Sequence, residues 1–173
     1  MYISQQAFTR SIINKFGLAN AKIANTPMAA KDSEGKKMVG EESSESVPYR
    51  QAIGSLLYLQ NCTRPDITYA ENVLSLGQSN LDESDWSRVK RVIKYLRGTL
   101  NYGLMYRGGG ESIVCYPDAS LGINDEMGQS TSDFVIALFY DVIGRRTRKQ
   151  NLVVLFSAEA EFVEMSLACS LCM

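Results

Sequence analysis

The sequence predicts an α+β protein, all-α over residues 1–100 and strands followed by one helix over residues 101–173. Three observations carry this division. Residues 82–97 hold a single apolar stripe at helical spacing. After Gly98 the period changes, and β-branched and aromatic residues gather in short runs between glycine-rich turns. From Ser157 helical spacing returns and continues to Leu171.

The first helix is expected from Ser4 to Phe16, because Phe8, Ile12 and Phe16 recur every four residues, with Ser4 as N-cap and Gly17 at the left-handed C′ position. Residues 21–47 turn polar, with Pro27, Gly35, Gly40 and a Glu/Ser cluster, and read as a loop or linker. A second helix is expected from Pro48 to Leu59, with Ile53, Leu56, Leu57 and Tyr58 toward one side and Gly54 permitting close helix packing. A third starts at Thr63-Arg64-Pro65-Asp66, where proline suits the first turn and aspartate the positive end of the helix dipole, and runs to Leu76. The fourth, Asp82 to Arg97, places Trp86, Val89, Ile93 and Leu96 on one stripe, and Gly98 supplies its stop.

Strands are expected at Leu104–Tyr106, Ser112–Tyr116, Asp133–Tyr140 and Leu152–Phe156. Gly108-Gly109-Gly110 separates the first two, and residues 122–128 separate the next pair. The closing helix has Ser157 as N-cap, Glu159 and Glu161 in its first turn, and Phe162, Met165, Leu167 and Ala168 at helical spacing.

Composition narrows the chemistry. Hydrophobic residues make up 45% of the 173 and prolines number four, as in a globular chain. No apolar run approaches the roughly 20 residues that span a bilayer, so no membrane partner is expected. The N-terminal residues show no secretory signal, and an intracellular setting is the default. Histidine is absent, which removes Ser-His-Asp and Cys-His catalysis and leaves carboxylates to carry any reaction. Four cysteines, at 62, 115, 169 and 172, form no disulfide framework, and the Cys169/Cys172 pair lacks a second pair for a structural zinc.

The net charge of -1 gives no whole-chain case for polyanion binding, so any such surface is local. Residues 86–97 contain Arg88, Lys90, Arg91, Lys94 and Arg97 and no acid. That face is either a solvated flank or an element tracking phosphates. Arg145, Arg146, Arg148 and Lys149 form a second basic run, read as a loop that holds a nucleic-acid backbone or merely decorates the surface.

Four strings occur in order: Thr63-Arg64-Pro65-Asp66-Ile67, then Lys90-Arg91-Val92-Ile93-Lys94-Tyr95-Leu96-Arg97-Gly98-Thr99, Cys115-Tyr116-Pro117-Asp118-Ala119 and Ser157-Ala158-Glu159-Ala160-Glu161-Phe162. In this order they resemble the Pol polyprotein of copia-type retrotransposons, where reverse transcriptase gives way to ribonuclease H. The resemblance implies a thumb- or connection-like region over residues 1–100 and a partial ribonuclease H-like domain, a mixed sheet with one helix, over 101–173. It carries over Asp118 and Glu161 as catalytic, Mg²⁺-binding carboxylates, with Glu159 the competing acid. Two such ions would activate a water and stabilise the leaving oxygen in phosphodiester cleavage. The implied partner is an RNA–DNA hybrid, met by Arg88, Lys90, Arg91, Lys94, Arg97, Arg148 and Lys149. The remainder of the polyprotein would lie outside residues 1–173, with the third acid beyond Met173 and the polymerase aspartates upstream.

The chain departs from that pattern at several places. Asp118-Ala119-Ser120-Leu121 stands for Asp-Ala-Asp-Trp, Arg145 for a tryptophan, Asp133-Phe134 for Gly-Tyr, and Asp85 for a histidine. An aspartate at 133 on a buried strand face would carry a desolvation penalty. These departures imply a fragment without activity of its own; the alternative is a non-catalytic nucleic-acid-binding or interaction module.

Overall fold

The computed structural model describes residues 1–29, 48–76, 83–109, 112–120 and 129–172. The expected linker falls outside them from residue 30 to 47, as do Gly110, the turn at 122–128 and the expected helix start at Asp82. The chain is α+β and divides into two compact units, Tyr2–Leu104 and Met105–Met173 with Met1.

The first unit holds strand β1 (Tyr2–Ile3), helices α1 (Gln6–Lys15) and α2 (Tyr49–Cys62), a 3₁₀ turn at Pro65–Ile67, and helices α3 (Thr68–Leu76) and α4 (Glu83–Gly98). Strand β2 (Leu104–Met105) pairs with β1 and brings the unit's chain ends together. Its core is continuous. Ile12 and Ile13 of α1 join Ile53, Leu56 and Leu59 of α2, Ile67 and Leu74 around α3, and Val89, Val92, Ile93 and Leu96 of α4. Burying each such aliphatic side chain contributes about 1.5–3 kcal/mol before conformational entropy is set against it. Phe16 meets Trp86 edge to face with ring centroids 6.0 Å apart, and the Tyr49 hydroxyl donates to the Leu74 carbonyl at 2.8 Å.

Details differ from the sequence pattern. Helix α1 starts at Gln6, with Gln5 at the N-cap position and no side-chain cap, so Ser4 does not serve. Gly17 does adopt the left-handed conformation, at φ +68. On α2 the buried positions are Tyr49, Ala52, Ile53, Leu56, Leu59 and Gln60, whereas Leu57 and Tyr58 are exposed. The reason is helical phase: 52, 56 and 59 follow one stripe, which 57 and 58 overshoot. Gly54 faces open space and serves no close packing. Gly98 is the last residue of α4, and a Cβ there would lie 2.3 Å from Ile23 Cγ2, so this glycine is set by close approach.

The second unit is a three-stranded antiparallel meander, β3 (Ile113–Ser120), β4 (Gln129–Leu138) and β5 (Asp141–Val153), followed by helix α5 (Ser157–Cys172). Strand β4 is central. A two-residue turn, Phe139-Tyr140, joins β4 to β5 with both residues at positive φ, 55 and 66, the backbone signs of a type I′ hairpin. The basic run expected in a loop is strand instead, because Arg145–Lys149 pairs residue by residue with Thr131–Val135. Leu152 and Val153 belong to β5 or its end rather than to a separate strand, and Leu155 and Phe156 form a bend before α5.

Two faces of this sheet are distinct. Ser130, Ser132 and Phe134 are buried on the side that α5 covers, and the Gln150 amide bridges the two layers, donating to Ser132 Oγ and to the Ala160 carbonyl at 2.9 Å each. Alternation puts Thr131 and Asp133 on the opposite face. Asp133 is exposed there and accepts a hydrogen bond from the Thr147 hydroxyl at 2.9 Å. The expected desolvation penalty therefore does not arise.

Helix α5 packs through Ala160, Glu164 and Ala168, while Phe162 and Met165 are 73% and 52% exposed. The small residues let the helix approach the sheet closely, which the larger ones would prevent. Ser157 is the first helical residue rather than the cap, and the Glu159 carboxylate accepts from the Leu155 N–H at 3.0 Å.

Candidate functional site

Asp118 lies in β3 directly opposite Asp133 of β4, and both are exposed. Residues opposite one another share a face, so Asp118 projects from the side of the sheet that α5 does not cover. Glu161 is exposed on α5. The sheet thus stands between the two carboxylates that the sequence nominated. A Mg²⁺ ion demands near-octahedral oxygen ligands at about 2.0–2.1 Å, which these two side chains do not supply together. Among the described residues no group of three or more His, Cys, Asp or Glu is placed to hold a metal. Among the described residues Cys62, Cys115 and Cys169 form no disulfide.

The basic face of α4 is divided in its duties. Arg88 pairs with the buried Asp85 at 3.2 Å. Arg91 donates to Thr26 Oγ1 at 2.9 Å, and Arg97 donates to the Ala19 and Ala21 carbonyls at 2.7 Å each. These arginines pin residues 19–26 along the helix. Lys90 and Lys94 have no partner among the described residues and are partly exposed. In the other unit, Arg148 is opposite Ser132 on the α5 side, whereas Lys149 is opposite Thr131 on the open face. Adjacent strand residues cannot present one surface.

The most elaborate polar cluster is built on Arg64 and Asp66, which the sequence marks as a helix start and as part of the first of the four ordered strings. Arg64 is 2% exposed and grips Asp66 through Nε and Nη2, at 2.9 and 2.7 Å. Its remaining donors reach the Thr99 carbonyl and hydroxyl at 3.0 and 2.6 Å. The rings of Tyr95 and Tyr102 flank the guanidinium at 5.6 and 5.5 Å, and the Tyr95 hydroxyl donates to Asp66 Oδ2 at 2.8 Å. Burial raises the Asp66 carboxyl, but the hydrogen bonds and charge of Arg64 with the Tyr95 hydroxyl outweigh it and lower the pKa. Burial, followed by the Asp66 carboxylate, pushes the Tyr95 phenol up to about 12. This network braces the 3₁₀ turn against the end of α4. Its only sequence signal is an Arg-Pro-Asp string ahead of a helix.

Glu164 is a second buried polar residue that the apolar pattern of α5 does not single out. It is 1% exposed, facing the sheet, and its Oε2 has no hydrogen-bond partner. Its signal was available in outline, since position 164 follows Ala160 by one helical repeat.

Fold and site together define a two-unit α+β protein that displays carboxylates and basic side chains without bringing Asp118 and Glu161 to one point. The chain is 31% identical over 168 residues to the retrovirus-related Pol polyprotein from transposon TNT 1-94 of Nicotiana tabacum, covering 94% of this chain and 13% of that protein. It is 32% identical to the corresponding polyprotein from transposon RE1 of Arabidopsis thaliana, covering 99% of this chain and 12% of that protein. A protein named secreted RxLR effector protein 161, from Plasmopara viticola, is 38% identical over 123 residues, 70% of this chain and 87% of that protein. No family model matches the chain, and no solved structure matches it. The chain belongs to the Pol family of copia-type retrotransposons. It spans about an eighth of the length of the Pol polyproteins it matches.

Proposed function

We propose that the chain represents the junction between reverse transcriptase and ribonuclease H of a copia-type Pol protein, and that alone it neither copies nor cleaves nucleic acid. In this reading residues 1–100 are thumb- or connection-like and residues 101–173 derive from a ribonuclease H-like domain. The parent activities would be RNA-templated DNA synthesis and Mg²⁺-dependent cleavage of RNA in RNA–DNA hybrids, in an intracellular setting. The observation that carries the inactivity is the placement of Asp118 and Glu161 on opposite sides of the sheet. A Mg²⁺-dependent hybrid-cleavage assay tests it. No cleavage is expected; clear cleavage abolished by Asp118→Asn would overturn the reading.

A second reading, a non-catalytic nucleic-acid-binding module, is favoured by one observation: Lys90 and Lys94 on α4 are partly exposed and have no partner among the described residues. Phosphate contacts by lysine release counterions, so affinity for a hybrid duplex would fall as salt rises. Because Arg88, Arg91 and Arg97 are engaged within the chain, the expected slope is shallow, set by about two phosphate contacts. Absence of binding at low salt excludes this reading.

A further inference from the structure

Between α5 and the β4–β5 hairpin lies a cavity of about 80 Å³, bordered by Ser132, Phe134, Arg146, Arg148, Glu164 and Leu167. That is space for several waters, and hence for one small polyatomic ion. Its chemistry is unusual for a cleft between a helix and a sheet. Glu164 is 1% exposed and its Oε2 has no hydrogen-bond partner. Arg146 and Arg148 border the same space, opposite Phe134 and Ser132 on the α5 side of the sheet. Among the described residues neither arginine is within ion-pair distance of Glu164, and neither has another partner. Ser132 Oγ accepts from Gln150, which leaves its hydroxyl proton to give.

A ligand that satisfies this set must donate to one buried carboxylate while accepting from two guanidinium groups. A cation meets the carboxylate but is repelled by the arginines. A fully deprotonated oxyanion meets the arginines but turns a lone pair toward Glu164. We propose that the cavity binds a phosphate that still carries a P–OH, either free phosphate or the terminal monoester of a nucleic-acid strand. Its hydroxyl donates to Glu164 Oε2, and its other oxygens accept from Arg146, Arg148 and the Ser132 hydroxyl. An internal phosphodiester has no P–OH and is excluded by the same carboxylate. This site is independent of the α4 lysines and of any cleavage by Asp118 and Glu161.

The test compares inorganic phosphate with sulfate, two tetrahedral anions of which only phosphate keeps a hydroxyl near neutral pH. Calorimetric titration of the full chain is expected to show phosphate binding at least about tenfold more tightly than sulfate, since one mismatched charge-assisted hydrogen bond is worth about a factor of ten or more. Glu164→Gln replaces an acceptor by a donor and brings the two anions to near parity, while Arg148→Ala weakens both. Equal affinities in the native protein, or no phosphate binding, overturn the proposal, and that comparison needs no variant to fold. A competition at about pH 5.5, where a monoester retains its proton, identifies the source. Competition by a 5′-phosphorylated oligonucleotide assigns the site to strand ends, whereas displacement by free phosphate alone assigns it to the ion. Equal competition by the unphosphorylated oligonucleotide would mean diester recognition and refutes it.

Discussion

Arg64 and Asp66, two residues apart, form a two-point ion pair with the guanidinium almost wholly enclosed, at 2.7–2.9 Å. Removing one member of such a pair leaves a buried charge without its counter-ion. Asp66→Asn is therefore expected to lower the unfolding free energy by about 3–5 kcal/mol. Tyr95→Phe removes one hydrogen bond to the carboxylate and keeps the pair, costing about 1.5 kcal/mol. Urea unfolding of the variants ranks them, and a larger loss from Tyr95→Phe than from Asp66→Asn contradicts the assignment.

Acid should weaken both units. Asp66 titrates below its ordinary 3.8. So does Asp141, whose carboxylate accepts from the Gly108 N–H at 2.8 Å and from the Arg107 N–H at 2.9 Å. A carboxyl depressed by folding stabilises the protein above its unfolded pKa, and that contribution disappears as pH falls through the folded value. The loss is thus expected below about pH 4. Asp66→Asn, followed by circular dichroism over that range, should flatten the decline.

Glu71 works in the opposite sense. It is 4% exposed and burial raises its carboxyl. Folding therefore opposes its ionisation, and the penalty grows as pH rises past its ordinary 4.5. Glu71→Gln is expected to raise the melting temperature at pH 7, by a stability gain of about 1 kcal/mol, and to have little effect at pH 4. An unchanged or lower melting temperature at pH 7 contradicts this.

The hairpin turn offers a gain by design. Phe139 and Tyr140 hold positive φ, which costs residues with a Cβ about 1–2 kcal/mol each. Replacing them with Asn-Gly, the pair suited to a type I′ turn, should stabilise the second unit by about 1–2 kcal/mol. Hydrogen exchange in β4 and β5 should slow with it; faster exchange would mean the turn has a different geometry.

The seating of α5 can be checked by a pair of substitutions. Ala160→Leu overfills the contact with the sheet and is expected to cost about 1–3 kcal/mol. Phe162→Ser, at an exposed site, should stay within about 0.5 kcal/mol. The reverse order means that the helix turns its aromatic side inward.

Helix α4 was readable because Val89, Ile93 and Leu96 form one stripe and all are fully buried. For α5 the apolar pattern names Phe162, Met165, Leu167 and Ala168; Ala168 is buried, but Phe162 and Met165 are exposed, and the other contacts fall to Ala160 and Glu164. Apolar spacing measures hydrophobicity around a helix, but close approach to a sheet selects small residues. In the basic run local preference is weak, and pairing with β4 makes it strand. Arg64 was opaque for another reason, since its partner Thr99 is 35 positions away. Asp118 and Glu161 were nominated by resemblance, which fixes position in the chain and not the face from which a side chain departs.

Strand β5 also has a consequence for how the protein behaves in concentrated solution. It forms one margin of the meander, thirteen residues long, and exposed Leu152 and Val153 make its end adhesive. Such a margin templates fibre growth unless charge discourages it. Arg145, Arg146, Arg148 and Lys149 place like charges along it, so two copies aligning margin to margin would repel. Like charge along this margin is thus a brake on the chain polymerising with itself.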